Sequence, residues 1–132
     1  MEPFKYITKV RFDDTDKYGH VNNSRYFTLF EEARTDWMYS FSSLIYWAET
    51  NSIQFVIAEQ SCKYKLPLLH PNIIEVTQKI NKFGSVSIEF EYELRIVGTE
   101  QILSTARSKL AFYNSKTHKL EKLPPHLKQM II

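Results

Sequence analysis

FDDTDKYGHVNNSRYF, residues 12–27, is a junction between two kinds of periodicity. Before it, residues 4–12 alternate, with Phe4, Tyr6, Thr8, Val10 and Phe12 on one face and Lys5, Ile7, Lys9 and Arg11 on the other. Period two over this length predicts a half-buried strand. From Ser24 to about Tyr39 the apolar residues switch to helical spacing, Tyr26, Phe30, Ala33 and Trp37 falling at i, i+4, i+7 and i+11. The helix begins at the asparagines, where Asn22 or Asn23 is a natural N-cap whose side-chain oxygen accepts from a first-turn amide. Gly19 permits the tight turn just before it.

The remainder of the chain reads mostly as strands. Residues 40–52, SFSSLIYWAETNS, look like a loose connector, and strands are expected over roughly 53–66, 72–83, 85–97 and 101–113. The clearest is 86–96: Val86, Ile88, Phe90, Tyr92, Leu94 and Ile96 face one way, while Ser87, Glu89, Glu91, Glu93 and Arg95 face the other. Gly84 and Gly98 mark its ends. A hairpin that aligns the apolar faces of the last two strands pairs Ile88 with Leu110, Glu91 with Arg107 and Glu89 with Lys109, so the acidic row has a structural explanation. The tail, KLEKLPPHLKQMII, is broken by Pro124 and Pro125 and is expected to end on the surface. Strand, long helix, then four strands is an α+β order in which an antiparallel sheet covers the helix. The edges of such a sheet invite a second copy.

Composition excludes several classes. The 132 residues suffice for a single domain with a core of its own, and 43% hydrophobic with 24% charged residues is ordinary for a globular chain. An aromatic share of 14% provides large apolar contacts or pocket walls. A net charge of +2, with no helix-turn-helix or zinc-finger spacing, argues against a nucleic-acid partner. Cys62 is the sole cysteine, so neither an internal disulfide nor a cysteine-based metal site is expected, and a reducing setting fits. No apolar h-region opens the chain and no run approaches a membrane span, so a cytoplasmic protein without metal or cofactor is the expectation.

The polar residues of the junction suggest chemistry. The first turn of a helix presents unpaired N–H groups and the positive end of the macrodipole, which polarise a carbonyl or hold an anion. Asp16, a few residues upstream, would stand over an electrophile held there. A carboxylate with an oxyanion-type donor is the minimum for acyl transfer to water. Aspartate and asparagine before a helix also serve as caps and turn formers, so the residues alone leave both roles open.

The same stretch resembles the signature of the hotdog-fold acyl-CoA thioesterases of the 4-hydroxybenzoyl-CoA thioesterase-like branch, D-x-D-x-x-G-H-V-N-N-x-x-Y. Asp14, Asp16, Gly19, His20, Val21, Asn22, Asn23 and Tyr26 match every fixed position. CKYKLPLLHPNIIEV (62–76) and FEYEL (90–94) are similar to later strands of that family, with His70, Pro71 and Asn72 departing from its usual turn. The resemblance implies a hotdog fold, with an antiparallel sheet around one long helix. It also implies a homodimer joined edge to edge, possibly paired again, with sites at the subunit interface. By position, Asp16 corresponds to the catalytic nucleophile or base and Asn23 to the residue whose backbone amide binds the thioester carbonyl. Gly19, His20, Val21, Asn22 and Tyr26 fall in the substrate-binding lining.

The other polar and aromatic residues carry weaker expectations. Asp14 is expected to close the loop on backbone amides, Asn22 to fix the turn with its side chain, and His20 to hold the loop or to touch substrate. Glu31, Glu32 and Arg34 suit ion pairing or a subunit contact, with the two glutamates in reserve because a related branch uses a helix glutamate. Glu59 is a candidate for a partner's site, and Cys62 for a small buried hydrophobe. Trp37, Phe41, Leu44, Ile45, Tyr46 and Trp47 suit either an acyl pocket or the core. Lys63 and Lys65 share a strand face and suit either solvent or phosphates. Rivals to a hydrolase of an acyl-CoA or acyl-carrier thioester are a hotdog hydratase or dehydratase pairing Asp16 with His20, and a non-catalytic acyl-CoA-binding module.

Overall fold

A computed structural model of the chain describes residues 2–132. Its elements run β1 (Phe4–Lys9), α1 (Asn23–Tyr39), α2 (Ser42–Thr50), β2 (Ile53–Tyr64), β3 (Ile73–Phe83), β4 (Ser87–Ile96), β5 (Ile102–Asn114), β6 (Lys119–Leu120) and α3 (Pro125–Ile131). The strands form one antiparallel sheet in the order β1-β3-β4-β5-β2, with β6 added to β5. This is the α+β layering expected from the alternating and helical periodicities, with α1 packed on the apolar face.

Pairing follows side-chain chemistry. Ile88 sits opposite Leu110, Glu91 opposite Arg107 and Glu89 opposite Lys109, as the hairpin argument requires. On the outer face Glu91 takes Arg107 at 2.8 Å and Lys79 at 3.7 Å, and Glu89 takes Lys109 at 3.7 Å and Lys82 at 3.9 Å. Such partly solvated pairs contribute little individually but fix register, since a one-residue slip would drive these charges into the core. Ile88, Phe90, Tyr92 and Leu94 on the inner face are buried. Trp37 of α1 meets Phe90 edge-on at 5.0 Å and Phe30 meets Tyr92 at 5.1 Å, which holds the helix at one height over the sheet.

Four expectations change. The first strand ends at Lys9, and Phe12 lies in a 3-10 turn over Phe12–Asp14, 74% exposed instead of facing inward. The Thr15 hydroxyl and amide both donate to the Phe12 carbonyl, at 2.6 and 3.1 Å, and so turn the chain out of the sheet. Residues 42–50 are a helix: Phe41, Leu44, Ile45 and Ala48 carry its spacing, and Leu44 and Ala48 are buried. The tail packs against the core before its exposed last residue, Ile132. Pro125 begins α3 at the position where a missing N–H costs nothing, and Leu127 and Ile131, one turn apart, are 1% and 0% exposed.

Arg34 is the fourth. It is buried, forms no ion pair among the described residues, and donates to the Tyr92 hydroxyl at 3.1 Å, which is itself 2.6 Å from Ser108 Oγ. A guanidinium under the sheet is reached by no carboxylate because Glu31, Glu32 and Asp36 all lie on the exposed side of α1.

If α3 completes the core, Leu127→Ala should lower unfolding free energy by about 2–5 kcal/mol in urea titrations. A loss under 1 kcal/mol would mean that this helix does not pack in solution.

Candidate active site

The junction loop is held mainly by backbone. Asp16 N–H donates to the His20 carbonyl at 2.7 Å and Gly19 N–H to the Asp16 carbonyl at 3.1 Å, closing a tight loop with Gly19 at φ +78°. L-residues rarely adopt that conformation, so the glycine is required by geometry. Val21 N–H reaches the Leu68 carbonyl at 2.8 Å and His70 N–H the Gly19 carbonyl at 3.2 Å, which ties the loop to the segment after β2. Gly19 therefore works as the turn and is not part of the cleft lining.

The loop amides expected on Asp14 fall to Asp16 instead. Asp14 does not bond amides. Its carboxylate takes Arg11 at 3.4 Å and Arg25 at 3.7 Å, while its backbone carbonyl accepts Asn22 N–H at 2.8 Å. It is Asp16 whose Oδ1 accepts loop amides, Tyr18 N–H at 2.8 Å and His20 N–H at 3.2 Å. Its Oδ2 has no hydrogen bond among the described residues, so one oxygen fixes the side chain and the other stays free.

The helix start also differs from expectation. Asn22 occupies the N-cap position, but neither it nor Asn23 makes a side-chain cap bond. Instead Arg25 N–H closes on the Asn22 carbonyl at 2.9 Å. This satisfies one first-turn amide through the backbone and leaves Asn23 N–H and Ser24 N–H without an acceptor among the described residues. The turn is fixed by main chain, and two donors are free.

An open cleft of about 550 Å³ gathers these groups: Asp16, His20, Val21, Asn22, Asn23, Ser24 and Tyr26 line one side, and Tyr64, Lys65, Leu66 and Pro67 the other. Tyr26 is 2% exposed, and its ring meets Tyr64 edge-on at 4.8 Å. The cleft thus has a carboxylate oxygen, two unspent amides and an aromatic floor. His20 is fixed by its backbone and lines the cleft beside Asp16, with no hydrogen bond joining its ring to that carboxylate.

Other candidates lie elsewhere. Glu32 accepts the Tyr6 hydroxyl at 2.8 Å, and neither Glu31 nor Glu32 lines the cleft. Glu59 is exposed beside Lys109 at 3.5 Å. Cys62 is half-buried, its sulfur 3.1 Å from Ser104 Oγ. Lys63 and Lys65 separate: Lys65 lines the cleft, whereas Lys63 joins Thr77 and Arg107 in a different hollow. Trp37 and Leu44 are buried, with Phe41, Ile45 and Trp47 packed against the core and Tyr46 exposed, and none of them lines the cleft. Ser24, Tyr64, Leu66 and Pro67 are the cleft residues that motif reading missed. The only signal for Tyr64 was its place just before Lys65 and Pro67, in a segment read for its strand.

Comparison with known proteins places the chain in a family. The thioesterase-like superfamily matches residues 10–131. A putative esterase of Aquifex aeolicus is 28% identical over 98% of both chains. The long-chain acyl-CoA thioesterase FadM of Escherichia coli is 26% identical over 93% of this chain and 92% of its own. Among solved structures, the probable thioesterase YbaW of Escherichia coli superimposes with a TM-score of 0.86 at 25% identity, covering 96% of this chain and 94% of that one.

The cleft tyrosines make a pH prediction. Burial raises the Tyr26 hydroxyl above its ordinary value of 10.0, and burial together with the Cys62 thiol raises Tyr64. A raised folded value favours the neutral phenol in the fold. Its stabilisation is therefore complete below the unfolded value and declines as pH rises through the interval above it. Urea midpoints should fall above pH ~10, and Tyr26→Phe should show a shallower fall; an unchanged slope would contradict this.

Proposed function

The chain belongs to the thioesterase-like superfamily, and from that premise we propose that it hydrolyses an acyl-CoA thioester to a carboxylic acid and coenzyme A. One observation carries the reading: Asp16, with a free Oδ2, lines the same cleft as the unspent amides of the α1 start. The sequence similarity to the long-chain acyl-CoA thioesterase FadM supports the substrate class.

In the proposed reaction the thioester carbonyl oxygen accepts from Asn23 N–H, where the helix dipole favours the negative charge that develops on it. Asp16 Oδ2 either attacks the carbonyl carbon, giving a mixed anhydride that water then cleaves, or takes a proton from the water that attacks. In both routes the carbon–sulfur bond breaks and the thiolate departs to be protonated. Oδ1 stays on the Tyr18 and His20 amides throughout, so the carboxylate needs no reorientation.

We also propose that the working form is a homodimer paired along β2, the free edge beyond β5. Glu59 and Lys63 lie two residues either side of Ser61 on the outer face. An antiparallel copy centred on Ser61 sets each Glu59 against the partner's Lys63 and brings the second strand to the cleft beside Tyr64.

Two variants isolate the chemistry. Asp16→Asn keeps an Oδ1 acceptor for the loop and removes the charge. Asn23→Pro removes one N–H at the helix position that favours proline, and Asn22, at φ −58° and ψ 138°, already has the backbone a following proline requires. Each should stay folded and lose about 100-fold or more in thiol release from acyl-CoA esters. Wild-type turnover in a folded Asp16→Asn protein would refute the reading. For the dimer, Lys63→Glu should weaken self-association about tenfold in sedimentation, and Glu59→Lys added to it should restore it. Equal association by all three would refute the register.

A further inference from the structure

Tyr64 ends β2, where its ring forms part of the cleft wall, and its hydroxyl donates to the Asn23 backbone carbonyl at 2.9 Å. That carbonyl belongs to the same peptide unit as Ser24 N–H. The two ends of a peptide are one resonance system, so a proton held on the oxygen strengthens the nitrogen as a donor. A carbonyl has two lone pairs, and accepting Tyr64 leaves it free to serve the helix ladder as well.

We infer that Tyr64 is a positioning residue: by polarising the Asn23–Ser24 peptide it makes Ser24 N–H a second donor to the substrate carbonyl, beside Asn23 N–H. This deepens the thioesterase reading and rests on it. Three observations fit together. Ser24 N–H has no acceptor among the described residues, and Ser24 lines the same cleft as Asp16. The Tyr64 ring is braced edge-on against buried Tyr26 at 4.8 Å, which fixes the direction of its hydroxyl. Its hydroxyl titrates above the ordinary phenol range, so it remains a donor at neutral pH. Two amides converging on one oxygen stabilise a tetrahedral oxyanion more than one does, and the bonds of the junction loop and of Tyr64 hold both in place beforehand.

The test is Tyr64→Phe, which keeps the ring and deletes the hydroxyl. Thiol release should fall about 3- to 10-fold in kcat with KM within twofold, because the lost interaction matters chiefly when negative charge builds on the carbonyl. Two unreactive ligands separate positioning from mere support of the loop. A ketone analogue, with CH2 in place of the thioester sulfur, has a carbonyl to seat; an S-alkyl-CoA thioether has none. Tyr64→Phe should bind the ketone several-fold more weakly and the thioether as wild type does. Equal loss of both ligands, or wild-type kcat and ketone affinity, overturns the inference while leaving the hydrolase reading in place. A wild-type protein that releases no thiol from short, long and aryl CoA esters overturns both.

Discussion

Two amide protons at the start of α1 have no acceptor among the described residues, and the reason is a local one. A helix leaves its first amides unsatisfied, and a side-chain cap usually takes one or more of them. Here Arg25 N–H closes on the Asn22 carbonyl and neither asparagine side chain caps, so Asn23 and Ser24 keep their donors for something outside the chain. The backbone bonds that cross from the junction loop to residues 68–70 hold those donors still. An electrostatic site gains from such rigidity, because dipoles already aimed at the developing charge need not reorganise when it appears.

The larger fold serves that placement. Aromatic contacts from Phe30 and Trp37 to Tyr92 and Phe90 set the height of α1 over the sheet, and the cross-strand charges on the outer face keep the strands in register. Because β2 pairs with β5 up to Tyr64, the strand ends where the cleft begins. Sheet register, helix height and loop closure thus converge on one end of α1, leaving the far end to core packing.

Much of this was legible in residue order. Alternation in 86–96 set which face of the strand is buried, and pairing its Ile88 with Leu110 then placed Glu91 opposite Arg107. Helical spacing from Tyr26 to Trp37 located α1 for the same reason. What was not legible depended on partners distant in sequence. Phe12 fits a strand by pattern but is turned outward by Thr15, and the prolines at 124 and 125 read as breakers although Pro125 starts a helix. Phe41, Leu44, Ile45 and Ala48 did carry helical spacing, obscured by the serines around them. At the site, the family resemblance singled out Asp16 and Asn23 as candidates but could not assign amide bonding to Asp16 and arginine pairing to Asp14. Both are aspartates two residues apart, and only the loop geometry separates their tasks. Tyr64 came from the opposite side of the cleft, beyond the reach of any local pattern.

The most direct measurement is a crystal structure of the protein with the ketone analogue of an acyl-CoA. The account predicts the ketone oxygen within about 3 Å of the Asn23 and Ser24 nitrogens, with Asp16 Oδ2 near-attack, at about 3–3.5 Å from the carbonyl carbon. A ligand carbonyl seated elsewhere, or Asp16 Oδ2 turned away from it in every subunit, would contradict the account.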